Sequence, residues 1–351
     1  MTIAEKILAR AGGKAKVSPG DLVVVDVDCA VMLDSSFYSV QLGGRRVLKV
    51  PYPDRVVIVF DHEVPAPHIA SAEAHVKGRA FAREFGIKRF HDVGANHGIS
   101  HVVVADNAYA LPGTVLVCSD SHTCSAGAFN CAARGISTPE VAYTITTGKT
   151  WFRVGETIRY DFTGKLPPMV SMKDVFLHLA GTYGHHVNQN LEFGGPGLAG
   201  LSINARRTLT TMAAELSADF ATFEADALLL DYMRQRNAAP FTPQAPDPDA
   251  RYRERRTIRL DEMESLVALP DAVIKNAAPV HKVAGTPIQQ AFVGSCANGT
   301  LDDLAAAAAV VAGKKVSPGV RFLVTPGSQE VYRQAARAGH IQTLVEAGAV
   351  V

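Results

Sequence analysis

Three groupings of histidine and carboxylate could carry chemistry in this chain. Asp61 is followed directly by His62, His101 closes the segment Gly98-Ile99-Ser100-His101, and nineteen positions later come Asp120, Ser121 and His122. A carboxylate beside an imidazole fixes its tautomer and tunes it for proton transfer near neutral pH, which is the work of a general acid or base. Any one of these histidines could be a satisfied core or surface residue. Three similar clusters, each placed at the end of an apolar run, weigh against that reading. The competing chemistry is a mononuclear zinc or iron site built on His62, His101 and His122.

The five cysteines, Cys29, Cys118, Cys124, Cys131 and Cys296, form no C-x-x-C. An odd, sparse set argues against a secreted disulfide scaffold and leaves the thiols free, reactive or metal-bound. Cys296 lies in Gly294-Ser295-Cys296-Ala297-Asn298-Gly299, between an apolar run and a strongly helix-forming stretch. A thiolate at such a junction sits near the positive end of a helix dipole, which lowers its pKa and suits it to metal ligation. The alternative is a buried structural cysteine.

Positioning these groups requires an α/β scaffold. Apolar, β-branched runs at 22–27, 55–60, 101–105 and 114–118 read as strands, and the apolar spacing of 71–85 predicts a helix. Polar clusters follow the strand ends directly, as Asp61-His62 follows Phe60, and open α/β sheets place their ligand crevice there. The alternation at 157–162 predicts a strand, 172–180 a helix, 290–293 a strand and 301–312 a helix, while four prolines make 238–250 an exposed loop. Composition shifts place domains at 1–147, 148–286 and 287–351. The 351 residues are 47% hydrophobic with 35 Lys+Arg against 34 Asp+Glu, so net charge +1 points neither to nucleic acid nor to an anionic membrane. The longest uncharged aliphatic run, 305–313, is far below the roughly 20 residues that span a bilayer, and the first residues lack a signal-peptide core. A cytoplasmic protein is expected.

Six ordered motifs resemble one family: Phe60-Asp61-His62, Gly98-Ile99-Ser100-His101, Leu111-Pro112-Gly113, Asp120-Ser121-His122-Thr123-Cys124 with Gly127-Ala128-Phe129, the Cys296 segment, and Thr325-Pro326-Gly327-Ser328-Gln329. Together they resemble the large subunit of aconitase and 3-isopropylmalate dehydratase type hydro-lyases, over essentially the whole chain. The resemblance implies a three-domain α/β/α architecture, its third domain incomplete here. It also implies dehydration of a small hydroxy polycarboxylic acid with a 4Fe-4S cluster, whose open iron acts as a Lewis acid. Residue by residue, Cys296 matches the first cluster ligand and Asp61 and His62 the pair that protonates the departing hydroxyl. His101 and Asp120 match a second pair, and His122 pairs with a glutamate taken as Glu215 in Thr211-Met212-Ala213-Ala214-Glu215. Ser121, Asp34, Thr211 and Asn298 are expected at the substrate. A serine base is implied on a swivelling small-subunit partner.

The sequence also departs from the family pattern. The C-x-x-C expected beyond Glu346-Ala347-Gly348 is not among these residues, so a truncated and inactive large subunit is one expectation. A cluster-free remnant or regulatory carboxylate-binding protein is the other. Leu33 stands where relatives carry His or Gln, and Thr211 where they carry Asn. Apolar faces near Leu323-Val324 and Leu344-Val345 are expected to lie uncovered and to make the product aggregation-prone or dependent on a partner.

Overall fold

The computed structural model describes residues 1–38, 47–236 and 240–351. Five parallel strands form the first sheet, in the order Arg89–His91, Val56–Val59, Cys29–Leu33, Val115–Cys118, Ala132–Gly135. Cys29–Leu33 and Val56–Val59 are buried at every position, as a parallel sheet covered on both faces requires. The chain adds strands to one side and then returns to the other, so the strand order reverses beside Cys29–Leu33. A ligand crevice opens at the carboxyl ends around such a reversal, and Asp34, Asp61-His62 and Asp120 all follow strands at that edge.

A second parallel sheet runs Ala221–Phe223, Gln189–Gly194, Glu156–Thr163, Glu254–Arg259, and a third runs Gln290–Val293, Arg321–Val324, Ala349–Val350. An α/β protein is thus observed, and the expected helices occur at Ile69–Glu84, Met172–Tyr183 and Leu301–Val311. Two expectations change. Residues 101–105, read as a strand, lie in the helix Ser100–Asp106, where Ser100 through Ala105 are all buried; burial on every side erases the helical period that sequence reasoning needs. The proline-rich segment has no regular structure over its described part, with Ala238 and Ala239 outside the described residues. It is a half-buried strap rather than an exposed loop. The Asn130 amide donates to Gln244 O at 3.0 Å and accepts from Gln244 N at 2.7 Å, and Asp247 holds the amino terminus at 2.7 Å.

Two junctions fix how the sheets sit together. Gly98 backs onto Ser328, where a Cβ would lie 2.5 Å from the serine Cβ, and Ile99 N–H donates to Gly327 O at 2.9 Å. The second and sixth sequence motifs therefore meet as a docking seam. At the other junction Glu192, wholly buried, accepts from Ile3 N–H at 2.7 Å and from the Arg159 guanidinium at 2.9 Å, tying the amino-terminal helix Ile3–Ala11 to the second sheet.

The third sheet keeps one open face. Phe292, Leu323 and Val350 stand in register across its three strands, with Phe292 and Val350 exposed, whereas Leu344 is buried and Val345 exposed. The expectation of uncovered apolar surface thus finds its place at this row rather than at Leu344.

Replacing Glu192 by Leu strands the buried Ile3 amide and leaves Arg159 with two of its three carboxylate partners, Asp161 and Glu224. We expect urea unfolding to show a loss of about 1–3 kcal/mol, with the midpoint falling while the slope holds; a change under about 0.5 kcal/mol would contradict the docking role.

Candidate active site

The strand Val56–Val59 ends in Phe60 and delivers Asp61 and His62 to the crevice; Val115–Cys118 delivers Asp120 beside them. His62 Nδ1 lies 2.7 Å from Asp61 Oδ1 and its Nε2 lies 3.3 Å from Asp120 Oδ2. The other oxygen of Asp61 accepts the Ser100 N–H at 2.6 Å, so the same carboxylate anchors the start of the helix that carries His101. His101 Nε2 meets Asp120 Oδ1 at 2.7 Å, and the backbone N–H of His122 donates to that oxygen at 2.7 Å. His122 Nε2 then reaches Glu215 Oε1 at 3.1 Å, in the turn after the helix Ile203–Met212. All six residues expected to be catalytic are joined in one network with Asp120 at its centre.

The electrostatics follow from this geometry. The hydrogen bond with Asp120, then that with Asp61, raise the His62 pKa to about 10 against a smaller opposing effect of burial. For Asp120, burial acts to raise the pKa, but hydrogen bonds from His101 and His62 overcome it and hold the carboxyl well below the usual range. At neutral pH His62 is therefore an imidazolium between two carboxylates, with its side chain 45% exposed to the crevice. That is a proton donor poised at an open surface.

The residues expected at the substrate separate into two groups. Ser121 is exposed and lines, with Asp120, Arg134, Trp151 and Arg153, a cavity of about 440 Å³. Asn298 is half-buried and donates to Asp303 Oδ1 at 2.9 Å. Asp34 and Thr211 do not face the crevice. Thr211 is fully buried and its hydroxyl donates to Arg207 O at 2.6 Å, the usual fate of a threonine within a helix. Asp34 is fully buried and its carboxylate accepts backbone N–H groups of Ser35, His62 and Glu63.

Metal ligation can be tested against the donors. The imidazoles of His62, His101 and His122 are each engaged by a carboxylate rather than facing a common point, so the mononuclear reading has no geometric support. Asp34, Asp61 and His62 bring ligand atoms within 4.8 Å of one another, but the Asp34 oxygens already hold backbone donors. Cys296 follows a sharp turn in which Ser295 takes φ of 81°, and it is the one cysteine not fully buried. Its thiol is not activated as the sequence led one to expect. Burial, then the charge of Asp120, raise its pKa, and the helix it opens, Ser295–Asn298, is a single turn. Burial pushes Cys29, Cys124 and Cys131 up to about 12, and Cys118 is raised as well. A four-iron cluster needs several thiolates; these residues offer one accessible cysteine and so do not complete such a group.

Two cationic side chains escaped the sequence reading. Lys173, whose ammonium is disfavoured by burial while Cys296 and Glu215 favour it, and the buried Arg207 both contribute positive charge near Cys296. No local spacing marks either residue, because the charge is delivered by helices far away in sequence.

A family profile described as the Aconitase family (aconitate hydratase) matches residues 45–282 and 271–351. Similar proteins include a 3-isopropylmalate dehydratase large subunit of Mycolicibacterium smegmatis, 48% identical over all of this chain and 82% of its own length. A probable methanogen homoaconitase large subunit of Methanothermobacter thermautotrophicus is 39% identical, over all of this chain and 83% of its own length. The solved holo-form structure of Thermococcus kodakaraensis aconitase X shares the fold, with a TM-score of 0.51 at 14% identity over 99% of this chain and 81% of that one. Among the described residues, no helix is long and apolar enough to cross a membrane.

Because the folded pKa of His62 is raised, its contribution to stability is complete below its unfolded value of about 6.5 and fades as pH rises through about 10. We expect Asp120→Asn to lower the His62 midpoint by at least about one pH unit in a histidine 15N NMR titration. An unmoved midpoint would remove Asp120 from its central place.

Proposed function

The chain belongs to the aconitase family of hydro-lyases, and from that premise we propose that it is a large subunit acting on a small hydroxy polycarboxylic acid. The names of its relatives favour an alkyl-substituted malate or a homologue of citrate. The observation that carries this reading is the His62 imidazolium held between Asp61 and Asp120 at an open crevice.

Dehydration of a β-hydroxy acid breaks one C–O and one C–H bond, and the hydroxyl must leave as water rather than hydroxide. The longer of the two His62 contacts is the one at Nε2, 3.3 Å from Asp120, so this is the proton that can be released toward a substrate hydroxyl. Nδ1 stays bound to Asp61 at 2.7 Å and keeps the ring in place as it becomes neutral. His101 meanwhile keeps Asp120 ionised and oriented. Ser121, which lines the cavity, and the cations Arg134 and Arg153, the first of them paired with Asp219 at 2.7 Å, provide hydrogen bonding and positive charge for substrate carboxylates.

The carbon-bound proton needs a separate base, and the family resemblance assigns it to a small-subunit partner; the large-subunit naming of relatives supports the same division. A 4Fe-4S cluster, where present in this family, supplies Lewis acidity at the hydroxyl. Cys296 would be its contact with this chain. The relatives described above carry enzyme names, which favours a dehydratase over a regulatory carboxylate-binding protein.

The test is an anaerobic assay of the chain co-expressed with a small-subunit partner and supplied with iron and sulfide. 3-Isopropylmalate serves as substrate, and ultraviolet absorbance reports the unsaturated product. We expect His62→Asn to lower the wild-type kcat by about 10²–10⁴-fold, with KM little changed. Wild-type rates in His62→Asn would overturn the assignment of the proton donor.

A further inference from the structure

The loop that carries His62 is held from beneath by a pair of buried side chains. Asp34 follows the strand Cys29–Leu33 and its side chain has no exposure to solvent. One carboxylate oxygen accepts the Ser35 N–H at 2.9 Å and lies 3.4 Å from the His62 N–H; the other accepts the Glu63 N–H at 2.8 Å. Behind that second oxygen, at 3.5 Å, stands Nε2 of His75 from the helix Ile69–Glu84. His75 is buried, its ring lies 4.5 Å from that of Phe60 at an interplanar angle of 13°, and its Nε2 has no hydrogen-bond partner within ordinary reach. A buried carboxylate and a buried imidazole nitrogen with no closer partner strongly favour each other in a medium where water cannot answer either.

We propose that His75 and Asp34 are positioning residues which, through the backbone of residues 62 and 63, set the His62 ring between Asp61 and Asp120. Asp34 has both oxygens committed to backbone donors, so its rotation about the side chain decides where that loop sits. His75 selects the rotation, because turning the carboxylate away would bury its Nε2 against nothing. A shift of the loop lengthens the contact of His62 with Asp120 first, since at 3.3 Å it is already the looser of the two. The pair touches neither crevice nor substrate and acts only through its grip on His62. The inference rests on the proposed reading of His62 as proton donor for its functional meaning, but its geometry can be tested without activity.

The experiment is a histidine 15N NMR titration of the full chain. The charged groups facing the His62 ring are Asp61 on its own loop and Asp120 after the adjacent strand, with His101 and His122 behind Asp120; none of them is altered by substitution at His75. His75→Phe preserves the stack on Phe60 and removes the ring nitrogen. We expect the His62 midpoint to fall by at least about one pH unit, a tenfold loss of proton affinity. His75→Gln, whose amide can still donate to Asp34, should recover at least half of the shift. A His62 midpoint within about 0.3 unit of wild type in His75→Phe overturns the proposal, as does a glutamine variant shifted as far as the phenylalanine one. If His75→Phe yields no folded protein, Asp34→Asn is read in the same way. Its amide leaves one acceptor oxygen where the carboxylate held three N–H groups on two, and an unmoved His62 overturns the proposal there too. Failure of the hydro-lyase reading would show separately, as absent turnover with the NMR shifts intact.

Discussion

One carboxylate holds the site together. Asp120 receives the imidazoles of His62 and His101 and the backbone N–H of His122, and Glu215 is reached through His122. An anion answered by three donors at a half-buried position is stable as an anion, and that fixed charge is what keeps a proton on His62. The fold serves this arrangement by bringing two strand ends to one edge of a parallel sheet, next to the reversal of strand order where a crevice must open. Without the sheet the carboxylate would have to gather its partners from positions 62, 101 and 122 at a large cost in chain entropy.

The remaining groups arrive from outside the first sheet, so their placement depends on how the sheets dock. The seam at Gly98 and Ser328 lies two residues before the helix that carries His101, and it carries the third sheet with Cys296 toward the same crevice. Thr208 completes the connection by donating to Ala297 O at 2.9 Å, so the helix leading to Glu215 is tied to the turn bearing Cys296. At the far side, the buried Glu192 joins the amino-terminal helix to the second sheet. Close backbone approach at small residues and a few buried ion pairs therefore do for this molecule what a single continuous core does in smaller ones.

Much of this was legible in the residues. The strands at 22–27, 55–60 and 114–118 announced themselves by β-branched runs, and the pairs at Asp61-His62 and Asp120-Ser121-His122 by their position after strand ends. Other parts were hidden for identifiable reasons. The valines at 102–104 read as a strand because a helix buried on all sides shows no period. Asp34 was expected at the substrate because it adjoins Leu33, which stands where relatives carry a polar residue; only three dimensions show its oxygens committed to N–H groups twenty-eight and twenty-nine positions away. His75, Lys173 and Arg207 left no signal, since each acts through a helix whose local sequence serves packing. The Cys296 thiol was expected to be activated by a helix dipole, and a helix of one turn beside a carboxylate has too little dipole to do so.

The account stands or falls on where the protons of His62 reside. Neutron diffraction from perdeuterated crystals grown at about pH 8 would locate them directly. The account predicts deuterium on both Nδ1, facing Asp61, and Nε2, facing Asp120. A single deuterium at Nδ1, with Nε2 bare beside Asp120, would contradict it, because His62 would then hold no proton to give.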